Sequence, residues 1–313
     1  MLDLISLILP IVILISVGFF AVLAKAVSPQ LVQALGIFVL NFALPALILN
    51  ALLQQDLRQT LNWNYILVYG VGSLLTFGIV FAVARYFLRR PLPAASMAAL
   101  GGSASNSGFV GFPVASLAIG APALTALPLS MLVENILIIP LALAIAESTG
   151  RQGKSVSAVI GQTARRLART PLIMAIVVGA VLSAAGVRLP MPLATTLGMM
   201  ADAAIPCALL VVGGTLATLQ VQSVAGDVSL IVAGKLILHP ILVALGFPWI
   251  GGVPPGLMVA GIILASAPML TVYPIIGARF GQERLCAAAL VAATVAAFAT
   301  MVVLLGYLLA GSV

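Results

Sequence analysis

Long apolar blocks without a single charge divide this chain. Residues 4–24, 26–55, 59–84, 170–187, 203–226 and 285–313 contain no Asp, Glu, Lys or Arg, and each can hold a helix of about 20 residues, the length that crosses a bilayer. Two further uncharged blocks, 91–133 and 236–278, are longer than one straight crossing needs. The pattern predicts ten helical spans, at 4–24, 31–50, 64–84, 95–118, 122–147, 171–186, 193–218, 228–246, 256–278 and 284–310. The first apolar run follows an acidic residue, Asp3, with no basic residue ahead of it, so it reads as a span and not as a cleavable secretion signal.

Composition confirms the solvent: 63% of the residues are hydrophobic, 7% are charged, and the mean hydropathy is +1.26, which excludes a water-soluble domain. The net charge of +7 is an orientation signal. Connections after odd-numbered spans hold Lys25, Arg85, Arg89, Arg90, Arg151, Lys154, Arg165, Arg166, Arg169, Arg279 and Arg284, whereas those after even-numbered spans hold only Arg58 and Arg188. Basic residues favour the cytoplasmic side, so the odd connections are expected in the cytoplasm and both termini outside, in a multi-pass protein of the cytoplasmic (inner) membrane. The basic segment 148–169 has no aromatic residue for base stacking, so nucleic acid is not an expected partner. Cys207 and Cys286 lie in apolar spans and offer no disulfide framework, and a single histidine excludes most His-based metal sites. No cofactor is expected. Nor is an enzyme: the chain has no GxxxxGK[ST] loop for an ATP-driven pump, no GxSxG elbow, and only one aspartate clearly within a span.

Shifting the sequence by 161 positions superimposes Pro10 on Pro171, Gly18 on Gly179, Pro29 on Pro190, Pro45 on Pro206, Pro93 on Pro254, Ser105 on Ser266, Pro113 on Pro274 and Gly120 on Gly281. Five of the first nine prolines recur at this one offset, where chance predicts fewer than one, so the chain is read as an internal duplication. Five spans per half force the second half to enter the membrane from the opposite side. The expected fold is therefore an all-α integral membrane protein of ten helices in two inverted-topology repeats: 1–147, a basic cytoplasmic connection 148–170, and 171–313.

The two overlong blocks contain GGSASNSGFVGFP at 101–113 and, as its repeat mate, LASAPMLTVYP at 264–274. Proline cannot donate to the carbonyl four residues earlier, so Pro113 should free the carbonyl of Phe109 and Pro274 that of Leu270, while Pro268 pushes Ala267 out of helical geometry. Backbone freed in this way survives at membrane depth only where protein or a water-filled cavity receives it. Two broken helices, 4 and 9, would then aim half-helix N-termini at a shared space, a site suited to an anion. Ser103, Ser105, Asn106, Ser107, Gly108, Ser266, Ala267, Pro268 and Thr271 are the residues of that candidate site, with Asn106 first. The competing reading is that small residues merely let helices pack closely and that Asn bonds a neighbouring helix.

Ionisable groups inside spans need a separate account, because each is costly there. Asp202 is the repeat mate of Asn41, each four residues before a proline, and is a candidate for ion coupling or for a charge pair with Lys235; the alternative is a hydrogen-bonded structural acid. Glu134 is either a proton-linked carboxylate or a group facing water in a cavity. Lys235 and His239, four apart, share a helical face and could draw an anion inward or sense protonation; His239 could equally be a satisfied packing residue.

NSGFVGFP at 106–113 resembles the Asn-to-Pro signature in the fourth helix of the auxin efflux carrier family; ADAAIPCALLVVGG at 201–214 is similar to its seventh helix, and GKLILHP at 234–240 to its eighth. The order of these motifs, with the 161-residue offset, covers essentially the whole chain. The resemblance implies a fold like that of bile-acid symporters and sodium/proton antiporters. Spans 1, 2, 6 and 7 would form a scaffold, and spans 3–5 and 8–10 a transport unit whose crossed helices 4 and 9 hold the substrate. It implies organic anions as cargo, such as malonate or malate in bacteria. The connection of about 23 residues between spans 5 and 6 matches a compact bacterial-type member rather than the plant proteins with their long loop. The expected function is secondary active, elevator-like transport of small mono- or dicarboxylates, with H+ or Na+ as coupling ion. The alternative is a cation/proton antiporter or a sodium-coupled bile-acid-type symporter on the same fold. A pure cation exchanger is disfavoured because the two breaks themselves contain no acidic residue. Membrane lipid surrounds the protein, and the scaffold helices are candidates for a homodimer contact.

Overall fold

The computed structural model describes residues 2–54, 61–148, 170–187, 189–219 and 225–310. Arg58, Arg151, Lys154, Arg165, Arg166, Arg169, Arg188 and all but the ends of the 148–170 connection lie outside the described residues. All regular structure among the described residues is helical. The elements are α1 (Leu2–Leu23), α2 (Pro29–Gln54), α3 (Trp63–Phe87), α4 (Leu92–Ser103), α5 (Phe112–Ile119), α6 (Ala121–Glu147), α7 (Pro171–Ala184), α8 (Met191–Thr218), α9 (Gly226–Ile250), α10 (Pro255–Ser266), α11 (Tyr273–Ala278) and α12 (Glu283–Ala310). Among the described residues six of them, α2, α3, α6, α8, α9 and α12, are long and apolar enough to cross a membrane.

The outer surface is that of a lipid-exposed protein. Phe20, Trp63, Phe87, Trp249 and Tyr307 are all largely exposed, while Ser73, Thr76, Ser103, Ser105, Glu134, Lys235 and His239 are buried. In water this distribution would be penalised; in lipid the exposed apolar side chains cost nothing and buried polar groups bond one another. Trp63 and Trp249 stand at helix ends that are tied together, because Asn62 and Asn64 donate side-chain N–H groups to the carbonyls of Gly252 and Gly251 (3.1 and 3.2 Å). Aromatic rings at such an end suit the polar–apolar boundary of a bilayer.

Local chemistry accounts for the helix boundaries. Ser28 caps α2, its hydroxyl accepting the Leu31 N–H, and Pro29 opens the first turn, where no amide proton is needed. Asn62 caps α3 by accepting the Tyr65 N–H at 2.8 Å. Gly120 and Gly281, repeat mates in the sequence, both adopt positive φ, 66° and 69°, in the turns that follow α5 and α11. Their recurrence at the 161-residue offset thus has a backbone cause, since other residues are strained there.

Helices sort into two packed groups. In one, α1 lies along the second half of α8, and α7 lies along the second half of α2. In the other, α3, α4, α6, α9, α10 and α12 pack on one another around Tyr65, Tyr69, Leu100, Leu127, Phe247 and Tyr273, all fully buried. Gly18 of α1 sits against the backbone of Leu210 so closely that a Cβ would collide with it, and Gly179 of α7 sits against Leu49 and Leu52. These are equivalent contacts, since Gly18 and Leu210 map onto Gly179 and Leu49 at the same offset.

Four prolines shape the helices by a common device. Widened π turns occupy Val39–Ala43, Ser107–Gly111, Glu134–Ile138 and Gly234–Leu238, and each ends two residues before a proline: Pro45, Pro113, Pro140 and Pro240. A proline ring clashes with the carbonyl four residues back, and an extra residue in the preceding turn moves that carbonyl aside. Each insertion also turns the residues it contains out of the register a regular helix would give them. Asn41, Ser107, Glu134 and Lys235 all lie in these turns.

Candidate functional site

Span 4 breaks at Ala104–Asn106, several residues before Pro113, and span 9 breaks at Ala267–Val272, immediately before α11. Ala104 and Ala267 are both extended, with ψ of 128° and 150°. For Ala267 this follows from the next residue being proline. Pro274 does not free the carbonyl of Leu270 as the sequence suggested, because that carbonyl accepts the Tyr273 N–H at 2.9 Å.

The two breaks meet. The Asn106 main-chain N–H donates to the carbonyl of Pro268 at 2.7 Å, and its side-chain amide donates to the Thr271 hydroxyl, also at 2.7 Å. One asparagine therefore stitches both interruptions with two bonds. Beyond it, the Asn106 carbonyl accepts the first intrahelical N–H groups, those of Val110 and Gly111. The amides of Ser107, Gly108 and Phe109 precede that first donor and have no intrahelical acceptor by helix geometry.

A cavity of about 280 Å³ opens beside this junction, lined by Ser105, Asn106, Ser107, Gly108, Phe109 and Thr271 from the breaks, by Asn41 from α2, and by Glu134 and Asn135 from α6. Its size lies at the small end of the range of about 300–1,000 Å³ usual for ligand sites. Among the described residues Glu134 is the one ionisable group in its lining. A second cavity, of about 410 Å³, shares Leu40, Phe109, Thr271 and Val272 with the first and is otherwise walled by α2, α8 and Ile275. Both hollows follow the seam between the two helix groups.

Not every candidate from the sequence reaches the cavity. Ser103 and Ser266 turn back onto their own helices, donating to the carbonyls of Ala99 and Ile263 (2.7 and 2.8 Å), and Ala267 and Pro268 contribute backbone geometry instead of lining. Asp202, just before the turn at Ala203 that interrupts α8, is exposed. It forms no ion pair with Lys235: the one salt bridge among the described residues joins Arg90 to Asp227 at 2.8 Å. Lys235, fully buried, instead donates to the carbonyl of Ala265, in the last turn of α10, and to His239 Nδ1 at 3.0 Å. His239 Nε2 lies 2.8 Å from the Ser73 hydroxyl. With Lys235 taken as an ammonium, which can only donate, Nδ1 is assigned as the acceptor and the imidazole as neutral, its Nε2–H facing Ser73.

The breaks contain no acid, yet the fold supplies one. Glu134 Oε1 accepts the Ser107 hydroxyl at 2.6 Å and the Tyr69 hydroxyl at 2.9 Å, and Tyr69 also lies 3.3 Å from Ser105. A carboxylate, the group a desolvated cation would need, therefore stands beside the breaks. Tyr69 and Ser73 were not picked out by the sequence reading. Their signal was present as Tyr65, Tyr69 and Ser73 at intervals of four, a polar stripe on one face of an otherwise apolar helix.

Residues 3–305 match the family described as "Membrane transport protein". A Rhizobium meliloti (strain 1021) protein named "Putative malonate transporter" is 28% identical over 293 residues, which span 93% of this chain and 92% of that protein. The "Uncharacterized transporter YfdV" of Escherichia coli (strain K12) is 29% identical over 250 residues, 76% of each chain.

Proposed function

This chain belongs to the Membrane transport protein family, the family of the auxin efflux carriers that its motifs resemble, and from that premise we propose that it is a secondary carrier of small organic anions. The observation that carries the reading is the junction at Asn106. Two interrupted helices, bonded to each other through one asparagine, present amide and hydroxyl donors to a cavity sized for an acid of a few carbons. Donors fixed in a low-dielectric surrounding stabilise an anion without the cost of reorienting solvent. The name of the Rhizobium meliloti relative makes malonate the first cargo to try.

The carrier crosses the cytoplasmic membrane ten times, as two inverted five-helix repeats, with both termini outside. Equivalent glycine contacts at Gly18 and Gly179, and equivalent positive-φ turns at Gly120 and Gly281, support that duplication. α1, α2, α7 and α8 form the scaffold. The remaining helices move past it along the seam that holds both cavities, carrying the bound anion from one side to the other.

The test is counterflow in proteoliposomes. Vesicles loaded with unlabelled malonate should accumulate labelled malonate saturably, and a bile acid should not compete. Failure to exchange any carboxylate, together with Na+ or H+ exchange driven by an imposed gradient, would replace the reading with a cation exchanger built around Glu134.

A further inference from the structure

The interior of the transport unit contains few charges, and they nearly cancel. Apart from Asp227, which Arg90 neutralises at the end of α9, the buried charged groups among the described residues are Lys235 and Glu134. Lys235 donates to the Ala265 carbonyl and faces His239 Nδ1, and the charge count that follows takes it as the ammonium and His239 as neutral. Lys235 and Glu134 lie within electrostatic reach of each other, so the empty site is balanced when Glu134 is ionised. An anion entering the cavity adds a negative charge beside Glu134 with no further cation in the lining among the described residues. An uncompensated charge at this depth is expensive.

Resting on the anion-carrier reading above, we propose that this protein moves one proton with each negative charge of its cargo, and that Glu134 holds the first of these protons. The charges balance at every stage. Lys235 ammonium plus Glu134 carboxylate sum to zero; adding a monoanion and a proton, with the proton on Glu134, again sums to zero. A dicarboxylate enters with its second carboxyl protonated, so malonate travels with two protons.

The local geometry suits both protonation states. Ser107 and Tyr69 donate to the same oxygen, Oε1, which keeps its acceptor role when a proton sits on Oε2. Loading and unloading the proton therefore breaks neither bond. Ser107 belongs to the anion-binding break itself, so occupancy of the cavity and of Glu134 are linked through one hydroxyl. The titratable groups facing Glu134 are Tyr65 and Tyr69 from α3 and Lys235 from α9, with His239 edge-on to the Tyr69 ring at 5.6 Å. Glu147 lies at the far end of its own helix.

Proteoliposomes containing an internal pH dye, with membrane potential clamped by potassium and valinomycin, test the proposal using labelled malonate. Inward malonate flux should acidify the interior by two protons per malonate and should be indifferent to the clamp. Glu134→Gln should carry one proton fewer, become sensitive to voltage, and lose about a tenfold-per-pH-unit component of the affinity for malonate, the slope of one linked proton. Malonate flux in the wild type without proton movement, or coupled instead to a sodium gradient, overturns the inference and leaves the anion carrier standing. Absence of any carboxylate flux fells the carrier reading and this inference together. Because the decisive stoichiometry is measured on the wild type, the result does not depend on the variant folding.

Discussion

Asn106 joins two chain interruptions that are more than 160 residues apart in sequence, and it does so with a main-chain N–H and a side-chain amide on opposite sides of its own Cα. Asn106→Ala keeps the first bond and removes the second, along with a polar group in the cavity wall. Saturable malonate uptake should fall about tenfold or more, since hydrogen bonds to charged groups contribute about 1.5–3 kcal/mol. The purified variant should remain monodisperse in detergent. Thr271→Val deletes only the acceptor of the amide, at nearly constant shape. Its half-saturation for malonate should rise by about fivefold, the equivalent of about 1 kcal/mol for one neutral hydrogen bond. Unchanged uptake in both variants would place the cargo elsewhere. The sequence exposed Asn106 because it is the one amide in a glycine- and serine-rich interruption. It marked Tyr69 only as part of a polar stripe on α3; that its hydroxyl reaches Glu134 depends on α3 and α6 packing side by side.

At the scale of elements, glycine and proline account for most of what was legible in advance and for part of what was not. The turns after α5 and α11 require positive φ, and a Cβ at Gly120 or Gly281 would meet no atom within 4 Å. Gly120→Ala and Gly281→Ala therefore differ from wild type by backbone strain alone. Each should destabilise by about 1 kcal/mol, read as a lower thermal midpoint in detergent, with malonate affinity unchanged. The prolines were legible as breakers. The break expected within 101–113 lies at Ala104–Asn106, and a π turn over Ser107–Gly111 precedes Pro113. An inserted residue rotates everything it carries by about 100° relative to a regular helix. For that reason the faces presented by Asn41 and Glu134 could not be derived from helical periodicity, although the spacing of four between Lys235 and His239 did bring those two together.

For the whole molecule, the division into two helix groups predicts different consequences for damage to each. Gly213 of α8 lies so close to Ile15 of α1 that any side chain there would strike its carbonyl, and it is not among the residues that line the cavity beside Asn106. Gly213→Ala should lower the thermal midpoint or broaden the size-exclusion profile. Malonate affinity of the surviving folded fraction should stay as in wild type, because Asn106, Thr271 and Glu134 belong to the other group. A change of affinity without loss of stability would contradict the division.

What the sequence determined by itself was the medium, the helical class, the recurrence of glycines and prolines at one offset and the two interruptions, because each is written in local terms: uncharged length and proline and glycine placement. Which polar groups meet was decided by tertiary structure. Lys235 finds the carbonyl of Ala265 instead of Asp202, and Glu134 arrives beside a break that contains no acid of its own. Those meetings depend on how helices distant in the chain are rotated against one another. That rotation is fixed jointly by π turns and close-packed glycines, and neither a single helix nor its composition contains the information.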